Sequence, residues 1–190
     1  LEIEEGSLVG VIGPNGAGKS TLVKAIMNMV KPNGGYVKIF GQSPKEGISR
    51  IGYIPQRESV DWDFPVTVMD VVLMGRYGHV GWLKRIGKSD RTIACECLEQ
   101  VDMLPYADRQ IGNLSGGQQQ RVFLARALAQ ESSLYLMDEP FAGVDAVTEK
   151  AIVTLLKGMR ERGKTLVIVH HDLASAKEYF DHLLLLNMRK

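Results

Sequence analysis

A chain of 190 residues with a formal net charge of +1 can bury one sizeable core or at most two small ones. Its balanced charge makes no demand for nucleic acid or an anionic membrane as partner, and no apolar run approaches the ~20 residues that cross a bilayer. The two cysteines, Cys95 and Cys97, stand two apart in helix-like sequence without companion ligands, which argues against a metal site and suits a reducing compartment.

The chain opens at Leu1 in strand-like sequence and stops at Lys190 just after another such run, so a piece of a longer polypeptide, truncated at both ends, is expected. Leu8–Ile12 is an apolar run that predicts a buried strand, and Thr21–Met27 predicts a helix with an apolar face. Between them stand Gly13, Pro14, Asn15, Gly16, Ala17, Gly18, Lys19 and Ser20, the spacing of a phosphate-binding loop. Strand, glycine loop and helix make an anion site, because successive backbone N–H groups and the positive end of the helix converge on a phosphate. Lys19 is placed to reach the β and γ phosphates of a nucleotide, and the Ser20 hydroxyl to hold Mg²⁺.

Tyr36–Phe40 predicts a strand by its alternation, Gly41–Pro44 a turn, and Ile51–Pro55 a short apolar strand closed by proline. Thr67 predicts the start of a helix, with Asp70 as its capping partner and Val68, Val71 and Val72 on one face. A glycine-punctuated stretch, Gly75–Gly87, precedes a second helix from Ser89–Asp90 that carries Ile93, Cys97, Leu98 and Val101 along its inner side. From Ser115 onward, helices alternate with the apolar strands Leu134–Met137, Thr165–Val169 and Leu183–Leu186. Such alternation predicts an α/β fold with a mostly parallel sheet flanked by helices. The expected division is a core of residues 1–59 and 115–190, with 60–114 as a helical insertion.

Two further constellations carry chemistry. Asp138 and Glu139 end an apolar strand, and strand carboxyl ends form the ligand edge of an open α/β sheet. Asp138 suits the Mg²⁺ shell, and Glu139 suits orienting and deprotonating an attacking water. Leu114, Ser115, Gly116, Gly117 and Gln118 predict a capped helix start with glycines that let a phosphate come close, a second anion site in one chain.

Gly13–Thr21, Leu114–Gln118 and Leu134–Pro140, in that order, resemble the Walker A, signature and Walker B motifs of ABC-type ATPases. The resemblance covers the whole chain and implies further roles. Thr21 completes the ATP-binding set, Gln56 stands as the Q-loop glutamine that contacts Mg²⁺ or water, and Asp145 lies in the D-loop. His171 stands as the histidine that contacts the γ-phosphate; His170 is the alternative, but the family's histidine directly precedes an acid. The same resemblance implies ATP and Mg²⁺ as ligands and a head-to-tail homodimer in which each signature closes on the other subunit's ATP. It also implies permease subunits in the membrane, an extracytoplasmic metal-binding protein acting through them, a place on the cytoplasmic face, and no nucleic-acid partner. The family's adenine-stacking aromatic is absent before Gly6, which predicts weaker base binding by these residues.

Val60–Val68 and Val71–Gly78 resemble importers of manganese, zinc and iron chelates, the manganese type most nearly. His79, Asp61 and Asp63 are then docking or loop residues rather than cargo ligands. A soluble ABC ATPase of DNA repair or translation is the alternative, but its usual coiled coil, zinc module or paired cassettes are not visible. A non-hydrolysing module would be expected to lack Glu139, Lys19 or His171, and all three are present.

Overall fold

The computed structural model describes residues 1–80 and 85–187. Its strands are β1 (Leu8–Ile12), β2 (Ile51–Ile54), β3 (Leu134–Asp138), β4 (Thr165–His170) and β5 (His182–Leu185), paired in parallel in the order β2-β3-β4-β1-β5. Every residue of β1, β3 and β4 is buried. That explains why these runs are continuously apolar: a parallel sheet is covered on both faces by its crossover helices. The edge strand β5 is mostly exposed.

The helices are α1 (Lys19–Ile26), α2 (Pro44–Gly47), α3 (Val68–Met74), α4 (Tyr77–Val80), α5 (Lys88–Glu99), α6 (Gly116–Ala129), α7 (Ala146–Glu161) and α8 (Leu173–Tyr179). Val23 of α1 packs with Val11, Leu136, Val167 and Val169 on one face of the sheet. The alternate residues Leu8, Ile12, Tyr135, Met137, Leu166 and Ile168 share the opposite cluster with α6 and α7. The period of two in each strand thus divides its side chains between two layers. Helices α3 and α5 pack on α6 through Val71, Val72, Leu98 and Phe123, all in that second cluster.

Local signals decide most boundaries. Thr67 caps α3 as expected: its hydroxyl oxygen accepts from the Asp70 N–H at 3.1 Å, and the Asp70 carboxylate accepts from the Thr67 N–H at 3.0 Å. Asp145 caps α7 by accepting from the N–H groups of Val147 and Thr148. In α5 Ala94, Cys97 and Leu98 are buried and Ile93 half-buried, close to the expected face.

Two expectations are corrected. Tyr36–Phe40 is not a strand: its only ladder contact is an isolated bridge between Ile39 and Gln42. Phe40 and Gly41 both take positive φ, 50° and 78°, and turn the chain back within two residues. The alternation of Tyr36–Phe40 therefore has no neighbouring strand to pair with among the described residues. Residues 1–4 are likewise irregular rather than extended into a ladder. Of the glycine-punctuated stretch, residues 81–84 lie outside the described residues.

One buried cation joins the helical layer. Arg76, 6% exposed, donates from Nε to Asp90 at 3.1 Å and from Nη1 to the Ala129 carbonyl at 2.7 Å and to Glu131. It thereby ties the end of α3 to the start of α5 and the C-terminal end of α6, where a cation also meets the negative end of the helix dipole. Arg76→Ala removes the donor that the Ala129 carbonyl and the two carboxylates share, so the variant is expected to unfold at a lower urea concentration than wild type.

Candidate functional site

The loop between β1 and α1 is shaped by glycine. Gly16 and Gly18 take φ of 80° and 91°, in the left-handed region that favours residues without Cβ. At Gly13 a Cβ would lie 2.2 Å from the Leu186 carbonyl oxygen, so no larger residue fits. Lys19, 6% exposed, folds back across this loop and donates to the carbonyls of Gly13 at 2.8 Å and Pro14 at 3.1 Å. Its ammonium is thus held at the loop by neutral acceptors, with its charge available to an anion. Ser20 is half-buried in the first turn of α1 and Thr21, beside it, is exposed. Asn15 and Gly16 are exposed along the loop.

The strand register brings the remaining residues to the same edge. Ile12 pairs with His170, and Asp138 pairs with Val169. Gly13, Asp138, Glu139 and His171 therefore leave the sheet side by side. Asp138 is 4% exposed and its Oδ1 has no hydrogen-bond donor among the described residues. Burial, with the Asp138 charge nearby, pushes the Tyr53 hydroxyl above its ordinary pKa. Glu139 leaves β3 with φ of 53° while its N–H donates to the Val169 carbonyl at 3.2 Å. This left-handed step, uncommon for a residue with a Cβ, directs two adjacent carboxylates to different neighbours. Gln56, two residues past β2, donates from Nε2 to Glu139 Oε2 at 3.5 Å.

The two histidines have separate surroundings. His170 is 2% exposed, its Nε2 pairs with the Ser175 hydroxyl at 2.9 Å, and its ring meets Phe141 edge-on at 5.4 Å. Burial, then the neighbouring His171, lowers its pKa, so its neutral form is favoured. His171 is exposed beyond the end of β4. The packing thus occupies His170 and leaves His171 open at the ligand edge. Asp172 caps α8 and is held at a pKa of about 2 by the Ser175 hydroxyl and then by the N–H groups of Ala174 and Ser175.

The second glycine site lies at the start of α6. Ser115 and Gln118 cap it reciprocally: Ser115 Oγ accepts from the Gln118 N–H at 3.4 Å, and Gln118 Oε1 accepts from the Ser115 N–H at 2.9 Å. Leu114 is buried beneath. Gly117 lies against Val144 and Thr148, whose side-chain atoms would be 3.8 and 3.7 Å from a Cβ there. Asp145 bonds the Thr148 N–H at 2.9 Å and its hydroxyl at 3.0 Å, contacts that lower its pKa. None of the described hydrogen bonds joins Leu114–Gln118 to the 13–20 loop. Sequence reasoning did not single out Arg57, whose guanidinium lies over Gly116 and bonds Gln119, or Thr148. Neither carries a periodic or motif signal.

A phosphate loop, a buried carboxylate at the end of a parallel strand whose Oδ1 has no donor among the described residues, and a parallel sheet define a P-loop nucleoside triphosphatase. The chain belongs to the ABC transporter family, whose model matches residues 1–142, and it is an ATPase of that family. It is 60% identical over 190 residues to the manganese transport system ATP-binding protein MntB of Bacillus subtilis (strain 168), covering all of this chain and 76% of that protein. Identity to the zinc transport system ATP-binding protein TroB of Treponema pallidum (strain Nichols) is 59%, over all of this chain and 71% of the relative. A bacterial ABC transporter cassette solved as a dimer superposes with a TM-score of 0.86 at 33% identity, over 98% of this chain and 84% of its own.

The Asp172 contacts make a pH prediction. A carboxyl whose pKa is depressed on folding contributes stability above its unfolded value, near 3.9, and that contribution disappears as pH falls through about 2. Carboxyl NMR titration is expected to place Asp172 at about 2, and Ser175→Ala to move the midpoint upward toward the ordinary carboxylate range.

Proposed function

We propose that this chain is the ATP-hydrolysing subunit that powers import of a metal ion, manganese, zinc or iron, by an ABC transporter. It works as a head-to-tail homodimer on the cytoplasmic face of the membrane. Its partners are permease subunits and, through them, an extracytoplasmic metal-binding protein. The observation that carries this reading is the pair of separate half-sites on one chain. The 13–20 loop shares a sheet edge with Asp138 and Glu139, the start of α6 is a second, serine-capped glycine site, and none of the described hydrogen bonds joins the two. A head-to-tail second copy would bring one chain's α6 start to the other's 13–20 loop, and the dimeric cassette of the same fold is consistent with such a pairing. The metal assignment rests on the relatives that are named for manganese and zinc transport.

Gly13 to Thr21 wrap the triphosphate, and Lys19 exchanges its two carbonyl contacts for phosphate oxygens. The buried, donor-free Oδ1 of Asp138 fits a cation, and Ser20, Gln56 and Asp138 are the residues that would hold Mg²⁺. When bound there, Mg²⁺ supplies charge neutralisation to the β and γ phosphates. Glu139 orients the attacking water and accepts its proton, and Gln56 holds the carboxylate through its amide. His171 contacts the γ-phosphate, while Leu114 to Gln118 of one subunit close over the other's ATP and Asp145 holds the start of α7 beside them. Residues 1–59 and 115–190 form the ATPase core, and 60–114 form the helical part that meets the permease.

The reading is tested in the full-length protein. Glu139→Gln keeps an oxygen and loses the base, so turnover is expected to fall by about a hundredfold or more. ATP should then trap the variant as a dimer on size-exclusion chromatography. A Glu139→Gln protein that stays monomeric with normal turnover would falsify the assignment. For the cargo, cells lacking the parent gene should lose uptake of manganese, zinc or iron and regain it with the wild-type gene but not with the Glu139→Gln gene.

A further inference from the structure

Two histidines stand at the end of β4, and only His171 is open at the ligand edge. His170 lies two residues after Ile168, so its side chain turns into the same apolar layer, while His171 is exposed. The His170 ring is 2% exposed, with Phe141, Phe180 and Tyr179 around it at centroid distances of 5.4, 5.7 and 6.1 Å. Phe141 follows Glu139 by two residues, so the ring touches the segment that carries that carboxylate. A buried polar ring is costly unless it is hydrogen-bonded, and the partner of His170 Nε2 is the Ser175 hydroxyl at 2.9 Å.

The available protons fix how that bond runs. Asp172, with a pKa of about 2, is ionised at neutral pH and can only accept. The Ser175 hydroxyl donates its single proton to Asp172 Oδ2 at 2.7 Å, so toward His170 its oxygen accepts and Nε2 carries the hydrogen. The same carboxylate accepts from the N–H groups of Ala174 and Ser175 at 2.9 and 3.2 Å. The side chains of His170, Asp172 and Ser175 thus close the turn into α8 on itself, and His171 lies within the segment so closed.

We infer that His170 is a positioning residue for ATP hydrolysis: wedged against Phe141 and bonded to Ser175, its ring fixes the segment from which His171 reaches the γ-phosphate. The inference rests on the γ-phosphate contact proposed for His171. Small misplacements of a group at the chemistry cost rate, so a group held in place before the substrate arrives is worth more than the same group on a loose turn. The closed segment holds the His171 backbone in one place, and the Phe141 contact ties that place to the chain leaving Glu139. His170 itself touches neither nucleotide nor water in this scheme; it acts through its neighbour.

The test measures kcat and KM for ATP in the full-length protein with His170→Phe, His170→Gln, Ser175→Ala, His171→Ala and the His170→Phe/His171→Ala pair. His170→Phe keeps an aromatic ring and loses the donor, and Ser175→Ala removes its acceptor from a half-buried site, so the second decides if the first folds poorly. Each is expected to lower kcat about tenfold, the rate equivalent of one lost hydrogen bond, with KM held within about twofold. His170→Gln, which places an amide N–H near the Nε2 position, should recover most of the rate. The paired variant should retain the residual turnover of His171→Ala alone, because the two act as a unit. Nitrogen-15 NMR of labelled histidine should find the His170 proton on Nε2. Wild-type kcat in both His170→Phe and Ser175→Ala, a His170→Gln no faster than His170→Phe, a paired variant slower than His171→Ala by the full factor, or a proton on Nδ1 overturns this inference alone. His171→Ala with wild-type turnover overturns the γ-phosphate contact of His171 and this inference with it.

Discussion

The site depends first on the parallel register of β1, β3 and β4. Hydrogen bonding between these strands fixes Ile12 opposite His170 and Asp138 opposite Val169. A shift of one residue would turn every side chain of a strand to the other face, moving Met137 into the place of Asp138 and exchanging the residues that fill the two apolar layers. The register is held because both faces are buried, by Val11, Leu136 and Val167 on one side and Ile12, Met137 and Ile168 on the other. The chemistry at the edge is thus positioned by the core beneath it.

At that edge the charged side chains are only partly satisfied by protein partners among the described residues. Lys19 rests on two carbonyls, Asp138 Oδ1 has no donor among the described residues, and Glu139 has an amide at the limit of hydrogen bonding. An unsatisfied buried acceptor costs about 1–3 kcal/mol, a cost a fold sustains where a ligand supplies the missing contact. Glu139 adds a left-handed backbone step that separates it from Asp138. Without it, two successive carboxylates would simply alternate across the strand.

The helical layer shares one apolar cluster with the sheet and is fastened at both ends of α6 by polar contacts. Arg76 fastens α3, α5 and α6 together at the end remote from the glycines, while Arg57 and Trp62 fasten the Gln56 turn to the beginning of α6.

The sequence by itself determined the fold class, the phosphate loop, the acidic strand end and the capped signature helix. Each is a local pattern: glycine spacing before a helix, four apolar residues before two acids, a serine three residues before a glutamine. Of the two adjacent histidines, the one before the acid, His171, is exposed and His170 is buried. Tyr36–Phe40 shows where such patterns fail: its alternation is that of a strand, but a strand needs a neighbour, and the turn at Phe40 and Gly41 leaves it without one. Only the tertiary structure decided that His170 belongs to the Ser175 and Phe141 cluster, that Asp138 Oδ1 lacks a donor, and that Arg57 reaches Gln119 across 62 residues. Those contacts join segments far apart in the chain. Local spacing constrains which element a residue sits in, and only the packing of those elements sets what its side chain meets.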